Sequence, residues 1–234
     1  MKIISNTKLI QRNKKISTYT TIAALVLLGL GLYLTLSNDP VSMFYSLIAL
    51  FLGLTVWQIS IYFTNRWGAR VCPYELISAA LKGLEDKYTL YHFSTPVSHL
   101  LAGPTGVWVV IPILGGGRIS YENGKWKQKG INALFKFFSQ DKVGRPDFEA
   151  RIELSDLDRA MQKKNVHIEP QWIKPIAIFF NPKAELNIED APILCLPSGK
   201  VKDYLRKLPK APAVPPEQLQ SLNQMLTIKE TKRS

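Results

Sequence analysis

The sequence predicts an α/β protein in two parts: an N-terminal transmembrane helical hairpin, then a mixed-sheet domain with flanking helices. Three observations predict it. Two apolar runs, 18–36 and 41–63, lie four residues apart. Each is about 20 residues long, enough to cross a hydrocarbon core of roughly 30 Å as a helix. Residues 96–128 then read as strand, turn, strand, turn and hairpin. Helical periodicities bracket that stretch, so helices cover a sheet.

The elements follow in chain order. Residues 1–16 carry Lys2, Lys8, Arg12, Lys14 and Lys15 with no acid. The connection Ser37-Asn38-Asp39-Pro40 has no Lys or Arg, and Arg66 and Arg70 follow the second run. The positive-inside rule therefore places both ends in the cytoplasm, with the tight turn outside. The expected location is a prokaryotic plasma membrane. Trp57, Tyr62 and Trp67 read as inner interface anchors, and Tyr33, Phe44 and Tyr45 as outer ones. Gly29, Gly31 and Gly53 are the small residues available for helix contact.

Pro73 opens a helix over 74–84, and 88–93 reads as the first strand. A short apolar run, 97–102, leads to the turn Gly103-Pro104-Thr105-Gly106. Residues 107–113 (VWVVIPI) are β-branched and nearly all apolar, which predicts a strand buried on both faces. Asn123-Gly124 predicts a two-residue hairpin turn, because both positions need positive φ. Its register sets Tyr121 opposite Trp126 and Glu122 opposite Lys125.

Residues 131–139 have helical spacing. Pro146 opens a strong helix, expected to bury Phe148, Ile152, Leu157 and Met161. Strands are expected at 173–180 and 192–196, and Ser198 as the cap of a helix carrying Val201, Tyr204, Leu205 and Leu208. Four prolines between 209 and 216 predict a linker, then a short helix over 217–228 and an unstructured tail.

Charge narrows the partners. The chain has a net charge of +12. Five of its 30 Lys and Arg and one of its 18 Asp and Glu precede residue 64, which leaves +8 on the remainder. Basic residues crowd the stretch 118–145: Arg118, Lys125, Lys127, Lys129, Lys136, Lys142 and Arg145, interleaved with Trp126, Phe135, Phe137 and Phe138. That composition suits nucleic acid or an anionic lipid surface. A protein partner is a further expectation, with no motif to name it. Two distant cysteines, Cys72 and Cys195, signal no zinc site. Cys72 lies near the second span, where S-acylation is chemically conceivable.

Between Tyr88 and Tyr121 there is no Asp or Glu, and Arg118 is the one charged side chain. No carboxylate in this stretch can hold a metal or move a proton. Three histidines, His92, His99 and His167, have no partner visible in sequence. Gly115-Gly116-Gly117 reads as a flexible turn, since no helix start follows it.

The element order and the phrases Ser98-His99-Leu100-Leu101, Gly106-Val107-Trp108-Val109-Val110 and Gly117-Arg118-Ile119 resemble the nuclease-related domain (NERD) family. The resemblance covers residues 70–208. It implies a restriction-endonuclease-like fold and metal-dependent phosphodiester cleavage, with Asp and Glu holding Mg²⁺ and a Lys polarising the attacking water. Carried over by position, Glu75 matches the first-helix Glu and His99 the strand His. The metal-binding Asp falls on Ser98, the Glu-x-Lys pair on Ile111 and Ile113, and a later Gln near Glu149. The resemblance thus implies a nuclease-like domain without its central groups, so no catalytic residue and no cofactor is expected. Mg²⁺ enters only if acids such as Glu75, Glu122 and Glu149 rebuild a site as a divergent nuclease. The expectation is a membrane-anchored, non-catalytic binding module over 70–208, with 209–234 as linker and tail. The alternative is a membrane-surface scaffold without a nucleic-acid role.

Overall fold

A computed structural model of the chain describes residues 1–37, 39–69, 71–130, 142–209 and 214–231. It divides into two units: a hairpin over Thr7–Cys72, and a domain formed by Met1–Asn6 together with Pro73–Ser234.

In the hairpin, α1 (Thr7–Thr35) and α2 (Pro40–Phe63) run 29 and 24 residues. At about 1.5 Å per residue they measure roughly 43 and 36 Å, so both are long and apolar enough to cross a membrane. Helix α1 starts earlier than its apolar run, so Lys8, Arg12, Lys14 and Lys15 lie on its first turns. Asp39 caps α2, accepting from the Ser42 backbone N–H at 2.9 Å, and Pro40 suits the first turn. A π-helical turn, Thr64–Gly68, closes the unit.

The helices meet through small and hydroxyl residues. Ser17 pairs with Thr64 at 2.7 Å, Thr21 with Ser60 at 2.6 Å, and Thr35 with Ser46 at 2.6 Å. Ser46 Oγ also donates to the Gly31 carbonyl at 2.8 Å. A Cβ on Gly31 would stand 2.7 Å from Leu50, and one on Gly53 2.8 Å from Leu28. Gly29, expected beside them, faces open space instead. The large apolar residues point outward: Leu25, Leu32, Phe44, Leu47, Phe51 and Leu54 are all exposed. Trp67 is a correction, being 7 % exposed and packed against Phe63 and Tyr62 instead of sitting as a surface anchor.

The domain's main sheet has six strands in the order β1-β2-β3-β4-β7-β9. They are β1 (Lys2–Ser5), β2 (Thr89–His92), β3 (His99–Gly103), β4 (Gly106–Ile113), β7 (Ile173–Phe179) and β9 (Leu194–Pro197). The turns β2-β3-β4 are antiparallel, and β1, β7 and β9 add in parallel. Strand β1 was not expected. It precedes the hairpin in sequence yet pairs Lys2–Ser5 with Thr89–His92.

As the apolar run predicts, β4 is buried on both faces. Val107, Val109, Ile111 and Ile113 point into one cluster, with Ala150, Leu157 and Met161 of α4 (Pro146–Gln162) and Leu222, Met225 and Leu226 of α6 (Pro216–Thr231). Trp108 and Val110 point into the other, with Ile77 and Leu81 of α3 (Pro73–Leu81) and Val201 and Leu205 of α5 (Ser198–Lys207). Each face is thus covered by two helices, the arrangement a doubly buried strand requires. Helix α6 runs on through Thr231, and Leu222 is fully buried, so the stretch expected to be linker and tail contributes to the core.

A second sheet, β6-β5-β8, is built from β5 (Gly117–Glu122), β6 (Lys125–Lys129) and β8 (Ala184–Asn187). The hairpin register is as predicted, with Asn123 and Gly124 at φ 51° and 74°.

Two details differ from expectation. Phe148 and Ile152 are 48 % and 47 % exposed, while Ala150, Leu157 and Met161 are buried. Phe148 and Leu157 are nine positions apart, which at 3.6 residues per turn is about 180° of rotation, so one helix cannot bury both. Ser198 does not act as the cap. Pro197 occupies that position with no side-chain bond, and Ser198 is the first helical residue. The helix expected at 131–139 lies outside the described residues.

Candidate functional site

The nuclease-pattern positions converge where β3 begins and β4 ends. Ile111 and Ile113 are each 4 % exposed, inside the apolar cluster beneath α4. Ser98 precedes β3, and its partner comes from a distant segment. The Ser98 backbone N–H donates to Glu153 Oε2 at 2.8 Å, and its hydroxyl to Oε1 at 2.6 Å. Glu153, on α4, is the residue that sequence reasoning missed. Nothing in the sequence links positions 55 residues apart.

A hard divalent cation takes several oxygen ligands. Here one carboxylate is committed to Ser98, and Ile111 and Ile113, where the resemblance implies polar groups, offer no ligand. The residues at this place do not fit Mg²⁺. The other acids weighed for a rebuilt site are dispersed: Glu75 on α3, Glu122 at the end of β5, and Glu149 in the first turn of α4. Among the described residues no three His, Cys, Asp or Glu side chains gather into a metal-binding group.

His92 and His99 partner each other, a pairing not visible in the sequence. Their Nδ1 atoms are 2.9 Å apart, and His92 Nε2 is 2.9 Å from Ser78 Oγ. The donors can be assigned. Ser78 Oγ gives its one proton to the Tyr74 carbonyl at 2.9 Å. His92 Nε2–H must then donate to Ser78, and His92 Nδ1 accepts from His99 Nδ1–H. Burial holds the His92 imidazole down to about 4, so it is neutral. Phe93, at φ 55°, lies edge-on to His99 with ring centres 4.9 Å apart. The chain leaving β1 ties in here too, since Asn6 N–H donates to the His92 carbonyl at 2.9 Å. Together these bonds join α3, β1, β2 and β3. His167 is exposed.

The basic residues divide between two places. On the small sheet, alternation turns Ile119, Tyr121, Trp126 and Gln128 toward the body of the domain. Arg118, Lys125, Lys127 and Lys129 are exposed on the other side. Trp126 is anchored by its indole N–H to Asp147 Oδ1 at 2.8 Å and stacks near Tyr121, so it is not a free aromatic contact. Two of the cations are paired: Arg118 with Glu185 at 3.3 Å, and Lys127 with Glu122 at 2.6 Å. Glu122 therefore bonds the diagonal lysine instead of Lys125, and that bond, helped by one from Ser120, lowers its carboxyl below the usual range. These exposed pairs are weak and open readily to a competing polyanion. Lys142 and Arg145 lie before α4, and Lys136 lies outside the described residues.

Cys72 is buried, its thiol turned to the Ala69 carbonyl at 3.4 Å, which leaves no exposed sulfur for acylation. Burial pushes the Cys195 thiol up to about 12.

Fold and site define a class: an α/β domain with a helix-covered mixed sheet, interrupted after its edge strand by a two-helix hairpin of membrane-spanning length. Comparison with family models, with curated proteins and with solved structures finds no match to this chain.

Proposed function

We propose that this is an integral membrane protein whose cytoplasmic domain is a nuclease-related, restriction-endonuclease-like module that has lost cleavage and binds nucleic acid at the inner membrane face. The observation that carries it is the pair Ile111 and Ile113, apolar and in the core where the resemblance asks for an acid and a lysine. Four cations share one exposed sheet face nearby in the chain.

The hairpin supports the membrane half. Its contact surface is small and hydroxylic and its outer surface is large and apolar, the inverse of a soluble helix pair. Topology supports the orientation. Strand β1 precedes α1, and its partner β2 follows α2. One sheet cannot be divided by a bilayer, so both ends of the hairpin share a side. The basic residues flanking both ends make that side cytoplasmic.

The test uses the full chain in nanodiscs, because residues 64–234 alone would lack β1. Incubation with supercoiled plasmid in Mg²⁺ or Mn²⁺ is expected to give a mobility shift without nicking. Four phosphate contacts predict a slope near −3.6 in log affinity against log salt, reduced by about 2 in Lys125→Glu/Lys129→Glu. Chelator-sensitive nicking would overturn the non-catalytic reading. Absence of any shift would overturn the nucleic-acid reading.

A further inference from the structure

We infer that the outward face of α4 docks on anionic lipid, an inference that rests on the membrane reading above. Phe148 and Ile152 lie one helical turn apart and are both about half exposed. Among the described residues of the domain, Ile3 is the one other large apolar side chain so exposed. Two arginines frame the pair. The Arg145 guanidinium lies 5.3 Å from the Phe148 ring centre and that of Arg151 6.0 Å. Arg151 is also held by Asp147 at 3.3 Å, the buried carboxylate that Trp126 fixes. The exposed cations Lys142, Arg145 and Arg151 face one exposed acid, Glu149, over this stretch.

Three features select lipid as the occupant. The patch carries net positive charge around an apolar step, the chemistry of an interfacial anchor to anionic headgroups. Two side chains are far too little for a stable protein interface, which buries at least about 1,000 Å². Base stacking would use Phe148 but gives no role to Ile152. The hairpin then makes a weak patch sufficient. Asn6 passes directly into α1, and nine residues separate Phe63 from Pro73. Such short tethers give effective concentrations in about the millimolar range, so even a contact of about millimolar affinity is populated.

The test is Ile152→Cys in the full chain, labelled with an environment-sensitive fluorophore, in nanodiscs with and without phosphatidylglycerol. Asn187→Cys, exposed on β8, is the control site. The expected result is a blue shift, and quenching by brominated lipid, at position 152 alone and in anionic discs alone. Arg145→Ala/Arg151→Ala should lower the docking equilibrium constant roughly thirtyfold, and Phe148→Ser should abolish docking. No quenching at position 152, or equal quenching in neutral discs that survives loss of both arginines, overturns the inference. A label shielded by single-stranded DNA and not by lipid overturns it in favour of nucleic acid. A chain that does not enter discs removes the membrane reading itself, and this inference with it.

Discussion

Acid should loosen this domain through His92 before it protonates the carboxylates. His92 is fully buried, and burial lowers its folded value to about 4 from an ordinary 6.5. Above pH 6.5 both folded and unfolded forms are neutral, and the full stability is present. As pH falls below 6.5 the unfolded chain takes up a proton that the folded chain refuses, so stability drops until about pH 4. The slope is about 1.4 kcal/mol per pH unit, which gives about 2 kcal/mol between pH 7 and 5 and about 3 kcal/mol in full. For a unit of this size that is a fall of about 4–8 °C in Tm by pH 5. The assay is thermal unfolding of the detergent-solubilised chain followed by Trp fluorescence, beside His92→Phe. The variant should be less stable at neutral pH, because Ser78 and His99 lose their partner, and should fall less steeply from pH 7 to 5. A wild-type Tm that does not move over that window, or a variant that retains the slope, would refute the reasoning.

Other perturbations follow from single contacts. Ser98→Ala removes one charge-assisted bond to a half-buried carboxylate and should cost about 1–3 kcal/mol in chemical denaturation. Glu153→Gln, which keeps an acceptor, should cost less. Gly31→Val should lower the detergent melting temperature of the hairpin, since even a Cβ there meets Leu50 at 2.7 Å, whereas Gly29→Val, in open space, should be neutral. Neither thiol should react with a soluble disulfide reagent at pH 8 until the chain is denatured. Cys72 is covered, and a thiol at about 12 is ionised in about one molecule in ten thousand.

What the sequence reveals here is local, and what it hides is long-range. Strand β4 is legible because seven apolar residues with Gly-containing turns at both ends admit only a doubly buried strand. The β5–β6 register is legible because Asn123-Gly124 fixes it. The direction of α4 is not. Two apolar pairs on one helix, Phe148/Ile152 and Leu157/Met161, each look like a core face, and only the sheet beneath decides between them. The partners of Ser98 and His99 are equally hidden. Glu153 arrives from α4, 55 positions along the chain, and the His92–His99 contact depends on β2 and β3 pairing in the register that sets those two residues opposite each other. The apolar character of Ile111 and Ile113 could be read from the sequence, while the helices that complete the cluster around them could not.

Strand β1 changes what the hairpin is. Four residues, Lys-Ile-Ile-Ser, carry no periodicity that separates them from the start of a basic leader, yet they complete the sheet edge beside Thr89–His92. The hairpin is therefore an insertion within a folded domain, not a leader placed before one. The same four residues shield β2. Without them its backbone groups would form an open edge carrying Leu90 and Tyr91, a template for unwanted pairing. Asn6 adds its own bond to the His92 carbonyl, so the residue next to α1 is fixed to the same place where α3, β2 and β3 are joined.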